Sequence, residues 1–458
     1  MNAIDPYVAV RVVSFYLPIV LLAAAVLGAK PTRREIVGAA LALVWNIPAI
    51  LALNLAAMSL GWWTFDAEGG LLLGVPVDLW LAWAILWGPL PSIAFRRMPI
   101  VLVAAIALAF DLVLMPAAAP VVRLHDNWLT GEAAGLLLGL LPAQCLARWT
   151  AADSQLYGRA SLQVAAFSGL TMWLLPVIAI QASGTAWRNP FEWPAPIPSV
   201  VIQLLAVPAL LGLSAVQEFV TRGGGTPIPY DPPRRIVTTG VYAYVANPMQ
   251  LSAALLLIAL GAVVANVFVA AVGGMSVIYA AGIAHWDEDA DLRQRFGGDW
   301  ARYRGQVRRW LPRWRPWYAD DSPIATLYVS EQCGICREVA SWYSARGVRG
   351  LEIVPAEDHP HGGLTRITYE SQDGRYRATG IDAVARALEH IHFGWAFAGF
   401  AMRLPGVAAI IQLIVDASGG EPRPVRRRPV GVRGPRMRGI AGCRAREFRF
   451  ARAARMRH

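Results

Sequence analysis

Lysine is all but missing. Lys30 is the only one in 458 residues, and every other permanent side-chain cation is an arginine. Charge of either sign is scarce, at 16% of residues, against about 25% in ordinary soluble domains. That scarcity rules out a chain kept extended and solvated by its own charge. Four cysteines are too few for a disulfide scaffold. The net charge of +11 resembles a nucleic-acid signature, but it is local: residues 422–458 hold thirteen arginines against one glutamate. This tail has almost no aromatic residues, and no basic face runs through the apolar part, so nucleic acid is excluded as a partner.

Apolar residues are abundant, at 56% of the chain with a mean hydropathy of +0.42. Runs long enough to cross a bilayer fall at roughly 8–29, 37–60, 71–94, 98–118, 131–148, 161–182 and 198–220. A hairpin of two shorter runs follows at roughly 249–264 and 266–284, giving about nine transmembrane helices. The first run is expected to remain as an uncleaved helix. Alternate loops carry Lys30, Arg33 and Arg34, then Arg96 and Arg97, then Arg148 and Arg159, then Arg222, Arg234 and Arg235. The opposite loops carry only Arg123 and Arg188, and Arg11 lies on the wrong side. The positive-inside rule then places the N-terminus outside and the C-terminal region in the cytoplasm. Arginine in place of lysine, with much Ala, Gly and Pro, indicates a GC-rich coding sequence and hence a bacterial inner membrane.

The densest polar information flanks the hairpin. Before it stands Thr238-Thr239-Gly240-Val241-Tyr242-Ala243-Tyr244-Val245-Ala246-Asn247-Pro248-Met249. Gly240 permits a sharp turn and a close backbone approach. Tyr242 and Tyr244 offer aromatic faces and hydroxyls at an interface, where such rings also serve simply as anchors. Asn247 suits an N-cap and Pro248 the first helical turn. After the hairpin come Glu288 and Asp289, then Phe296, Gly297, Trp300 and Tyr303. Acids here also complement a helix dipole.

Together, Gly-x-Tyr-x-Tyr-Val-x-Asn-Pro-Met, an apolar hairpin and Glu-Asp-x-x-Leu-x-x-x-Phe-Gly-x-x-Trp-x-x-Tyr resemble the isoprenylcysteine carboxyl methyltransferase and phospholipid methyltransferase superfamily over residues ~225–312. The resemblance implies a cytoplasmic site for S-adenosyl-L-methionine and a lipophilic acceptor arriving from the bilayer. It assigns cofactor contacts to Gly240, Tyr242, Tyr244, Asn247, Pro248, Glu288, Asp289 and Tyr303. Three positions depart from the family's pattern: Ala246 stands where an Arg is usual, Asp289 where a second Glu is usual, and Trp300 where a Tyr is usual. These bear on the acceptor more than on the reaction class.

Farther on, a strand-like run at 324–329 leads into Cys333-Gly-Ile-Cys336 and a helix at 335–346. A cysteine at a helix N-terminus is biased toward thiolate, which suits dithiol chemistry. A second strand is expected at 364–369 and a helix at 380–391. The apolar stretch 393–415 is interrupted by Arg403, Pro405 and Gly406, which favours a packed or membrane-surface helix pair over a further span. The pattern Leu327-Tyr328…Cys333-Gly-Ile-Cys336, with Asp373-Gly374 and Gly380-Ile-Asp-Ala-Val-Ala-Arg, resembles the DCC family of thioredoxin-like thiol-disulfide oxidoreductases. That resemblance implies redox roles for Cys333 and Cys336 and a thiol partner. Ser330 stands where that family usually has Asp, and no Pro directly precedes the second strand. Half a zinc site completed by His359, His361, His390 or His392 is an alternative, as is a non-catalytic module.

The expected organisation is an all-α polytopic membrane protein with a C-terminal α/β thioredoxin-like domain. Residues 1–197 form an N-terminal bundle, 198–318 the methyltransferase-like membrane domain, 319–323 a linker, 324–420 the Cys-x-x-Cys domain and 421–458 a basic tail. The tail is expected to be disordered, with anionic headgroups as its candidate contact. In the N-terminal half Asp78 and Asp111 lie inside apolar spans, where acids are costly and often functional. His125, Asp126 and Glu132 lie near Trp62, Trp63, Trp80, Trp83, Trp87 and Trp128, as an aromatic belt with capping acids or as a second ligand cavity. Two other functional classes compete with a methyltransferase: an NADPH-dependent membrane reductase, and a redox-regulated scaffold with a degenerate methyltransferase-like region.

Overall fold

The computed structural model describes residues 5–186, 192–228, 230–319 and 323–427, with the side chains of residues 279–289 and 405 excepted. Arg188, the linker residues Asp320, Asp321 and Ser322, and the tail from Arg428 lie outside the described residues. The chain divides into two compact units, Met1–Pro312 and Arg313–His458.

The first unit is a polytopic helical membrane protein. Seven of its described helices are long and apolar enough to cross a bilayer: α1 Pro6–Ala29, α2 Arg33–Leu60, α3 Val77–Ala94, α4 Ile100–Ala117, α5 Trp128–Ala151, α6 Leu156–Ala182 and α7 Ile197–Gly223. Their apolar side chains face outward freely. Val101 on α4 is 81% exposed, and only 6% of the apolar window of α1 is buried within the protein. Lipid is the solvent that such surface requires. Prolines at 18, 48, 116 and 208 lie inside these helices, as spans packed among neighbours tolerate. A capping box starts α2: Thr32 Oγ1 accepts from Glu35 N at 3.3 Å, and Glu35 Oε2 accepts from Thr32 N at 2.7 Å. Gly61 ends the same helix in a left-handed turn.

The hairpin is where the described helices fall short of the expected nine. It consists of α8 Pro248–Val263 and α9 Val267–Gln306, and the side chains of residues 279–284, the end of the expected second arm, lie outside the described residues. The 16 residues of α8 rise about 24 Å, short of the roughly 30 Å hydrocarbon core. Asn266 shapes the turn, with Oδ1 accepting from Phe268 N and Val269 N, while Nδ2 donates to Ser183 and Thr185 hydroxyls at 2.9 Å.

Arg11, in the first half of α1, has a structural role. It grips Asp78 on α3 through two contacts, Nε–Oδ2 at 2.7 Å and an NH2 donor to Oδ1 at 2.8 Å. The third guanidinium nitrogen meets the carbonyls of Glu68 and Gly69. The arginine and Asp78 thus form a bidentate pair that ties α1 to α3.

The second unit has a four-stranded sheet. Its strands are β1 Ala325–Val329, β2 Leu351–Pro355, β3 Thr368–Ser371 and β4 Arg377–Thr379, in the order β2-β1-β3-β4. β1 runs parallel to β2, pairing Ala325 with Leu351, while β3 is antiparallel to both β1 and β4. Helices α10 Gly334–Ser344 and α11 Ile381–Leu388 pack on it around Leu327, Ala340, Tyr343, Tyr369 and Leu388. The second expected strand lies a few residues later than the sequence reading, and β2 and β4 were not expected at all. The apolar stretch after α11 is α12 Phe393–Met402 and α13 Pro405–Val415, bent by 89°. At the bend Arg403 is buried and meets Glu389 at 2.8 Å, which also pairs with Arg386 at 3.1 Å.

Candidate cofactor site and disulfide centre

The polar segment before the hairpin grows out of the end of α7. That helix closes in a π turn, Phe219–Gly223, immediately after Glu218. Such turns recur at functional sites. Glu218 is fully buried. Thr239 Oγ1 donates to its Oε1, and Arg222 Nε lies 3.7 Å from the same oxygen. Gly240 sits directly over it with φ +59°, and a Cβ there would lie 2.8 Å from Glu218 Cδ. Only glycine supplies both that backbone angle and that clearance.

From Gly240 the chain makes one 3-10 turn, Gly240–Ala243. It buries Tyr242 and Tyr244, with Tyr244 wholly inaccessible, rather than presenting both rings at an interface. Asn247 occupies the N-cap position of α8, as expected, and Pro248 the first turn. The Asn247 side chain makes no capping bond, however; its Nδ2 donates to Gln250 Oε1 at 3.1 Å.

The segment after the hairpin folds back onto this loop. Within α9, Gly297 breaks the helical path at φ +52°, ψ −124°. Beyond it Tyr303 is 1% exposed and donates from its hydroxyl to the Tyr242 carbonyl at 2.8 Å. Burial drives its phenol far above the usual range. Trp300 stacks near Tyr303 at 5.7 Å. Backbone bonds from Ala246 N to Arg308 O at 2.9 Å and from Asn247 N to Arg309 O at 3.2 Å fasten the two segments together. Arg295 adds a bond to the Pro233 carbonyl at 2.7 Å. Glu288 and Asp289 belong to the backbone of α9, but their side chains lie outside the described residues.

An ion network holds the start of the loop to the bundle. Arg159, 2% exposed, contacts Asp231 at 2.6 Å and Asp153 at 2.9 Å. Asp153 also meets Arg34 at 3.3 Å and Arg234 at 2.8 Å. Burial pushes the Asp153 carboxyl up, but the Arg34 hydrogen bond and the charges of Arg34, Arg159 and Arg234 outweigh it and hold the group below the usual carboxylate range.

Sequence reasoning brought Gly240, Tyr242, Tyr244, Asn247, Pro248 and Tyr303 forward, and the fold assembles all six in one place. It missed Glu218. The available signal was a lone acid at the end of the 22-residue helix Ile197–Glu218, which has no other charge.

In the second unit Cys333 and Cys336 are joined as a disulfide. Cys333 is the N-cap of α10, and its Sγ accepts from Cys336 N at 3.2 Å. Buried Glu357 braces the approach loop, accepting from Ser330 Oγ at 2.8 Å and Glu331 N at 3.0 Å. Three of the four histidines of the zinc alternative are engaged elsewhere: His390 with Tyr369 Oη at 3.0 Å, His392 stacked on Trp314, and His359 within 3.4 Å of Glu370. Among the described residues no group of three or more His, Cys, Asp or Glu is placed to hold a metal ion.

Comparisons with protein-family models, with curated proteins and with solved structures each return no match for this chain.

Proposed function

We propose that the first unit is an S-adenosylmethionine-dependent methyltransferase acting on a lipophilic acceptor, and that the second is a thioredoxin-like dithiol module. The observation that carries the first half is the union of the two motif segments by Tyr303–Tyr242 and by the paired backbone bonds at 246–247 and 308–309. A hairpin that returns two separate polar segments to one point is what a shared ligand site requires. The resemblance described above supplies the identity of that ligand.

The residues present fit the donor. Gly240 lets the turn close directly over Glu218, where any side chain would collide with that carboxyl group. A sulfonium is favoured by aromatic faces and nearby acids, and Tyr242, Tyr244, Trp300 and Glu218 supply both types. The donor's contribution is a methyl carbon on a positively charged sulfur, open to in-line attack by an acceptor lone pair. The protein's share is positioning and exclusion of water. The buried 3-10 turn and the locked Tyr303 provide rigidity for it. Glu218 acts as a positioning residue, fixing Thr239 and hence the turn at Gly240.

The strand order β2-β1-β3-β4, with β3 alone running opposite to the other three, and a disulfide opening α10 support the thioredoxin-like reading. Reduction by a dithiol partner would break the Cys333–Cys336 bond and place one electron pair and two protons on the two sulfurs, leaving the partner oxidised. By the positive-inside rule this unit and the cofactor site both face the cytoplasm of a bacterial inner membrane.

Calorimetry on purified full-length protein tests the main claim. S-adenosylmethionine should bind, and Glu288→Ala should weaken it at least tenfold. Unchanged binding in that variant sinks the site; binding of NADPH instead would move the protein to the reductases, and binding of neither would favour a scaffold.

A further inference from the structure

Two carboxyl groups lie inside the membrane unit with no cation beside them. Asp111 on α4 is 0% exposed and Glu132 on α5 is 2% exposed. The indole N–H groups of Trp83 and Trp87 donate to the two oxygens of Asp111 at 3.1 and 2.9 Å. The Asp111 and Glu132 carboxyl groups also adjoin each other, within hydrogen-bonding reach. Ionised carboxylates only accept, so a hydrogen bond between the two requires that one of them carry a proton. Both Asp111 oxygens already accept from indoles, which assigns the proton to Glu132.

The second Glu132 oxygen, Oε1, is buried without a hydrogen-bond partner. Glu132 lines a cavity of about 30 Å³ whose walls include Asn54, Trp63, Trp80 and Met115. A water needs roughly 10–15 Å³, so one fits beside Oε1. Asn54 Oδ1 is already committed to Trp63 Nε1 at 3.0 Å. Other charged groups on the surrounding elements have partners of their own: Asp78 with Arg11, Asp66 with Arg123, Glu35 with Arg96, and Arg148 with the carbonyls of Met98 and Phe95. Among the described residues no Arg, Lys or His forms an ion pair with Asp111 or Glu132.

We propose that Asp111 and Glu132 form a proton-binding site of the membrane unit, exchanging through a water in this cavity. On release the O–H bond of Glu132 breaks, the proton passes to the cavity water, and the electron pair stays on the carboxylate. On uptake the same oxygen regains it, with Asp111 held by two indoles as the fixed acceptor. A metal cation is a poor alternative occupant, because it would have to displace an indole donor from each Asp111 oxygen. Two adjoining negative charges away from water repel each other strongly, so one proton stays with the pair at neutral pH.

Infrared spectroscopy of the full-length protein in an ester-free maltoside detergent tests this. The wild type at pH 7 should show the C=O stretch of a protonated carboxyl, shifted on transfer to D₂O and lost in Glu132→Gln. Trp87→Phe keeps both carboxyls but removes one donor to Asp111, so it should move the band. This second variant decides the matter even if Glu132→Gln fails to fold. No protonated-carboxyl band in the wild type, a band unmoved by Trp87→Phe or surviving Glu132→Gln in folded protein, or a band blind to D₂O would each overturn the proposal.

Discussion

The Tyr303 hydroxyl donates to the main-chain carbonyl of Tyr242 at 2.8 Å, across 61 residues and an intervening helical hairpin. Both residues are buried. Tyr303→Phe keeps the ring and removes the hydroxyl that makes this bond. A loss of about 1–2 kcal/mol is expected, read as a lower unfolding temperature in detergent. Binding of S-adenosylmethionine should weaken alongside it; full stability in the variant would show that the bond contributes nothing.

Gly240→Ala is expected to do more damage than its size suggests. The substitution adds strain at φ +59° and drives a Cβ toward Glu218. A cost of at least about 1 kcal/mol follows from the left-handed backbone alone. Gly298→Ala is the control: a Cβ there meets nothing within 4 Å and its backbone angle is ordinary. Thermal unfolding of the two variants side by side should separate them clearly.

Acid should release the loop that carries the site. The Asp153 carboxyl is held below the usual range by its arginines. A depressed carboxylate contributes stability that is present above the unfolded value of about 3.9 and is lost as pH falls through the lower folded value. The stability gap between wild type and Asp153→Asn should therefore be constant near neutrality and close on acidification. A gap independent of pH would remove the charge network as its cause.

Cys333 and Cys336 should cycle between dithiol and disulfide. Mass spectrometry of alkylated protein across a redox titration should find both thiols free under reducing conditions and neither under oxidising ones. Absence of the disulfide at every potential would leave the pair a structural or metal-binding role. Cys333→Ser should remove the transition altogether.

The membrane class was readable because long apolar runs leave few alternatives once lipid is the solvent. Its count was less readable. The first arm of the hairpin, Pro248–Val263, has 16 residues, and helix length as well as hydropathy decides whether a segment spans. In the second unit β1 and α10 stood out through the Cys pair, but Leu351–Pro355 and Arg377–Thr379 did not. Such short strands exist through pairing with distant partners, as Ala325 with Leu351, and carry little local signal. Arg11 shows the same limit: its distance from Asp78 in sequence hides the bond between them.

The amino-acid order determined which residues are chemically able to act: Gly240 for a tight turn, a Cys-x-x-Cys pair, and acids in places where lipid makes them expensive. These are local or compositional properties, written in residue type and spacing. The tertiary structure decided who meets whom. It set Glu218 beneath Gly240, Tyr303 against Tyr242, and Glu132 against Asp111 between two indoles. Those contacts join segments tens of residues apart, and packing specifies them through complementary shape and the need to pair every buried polar group.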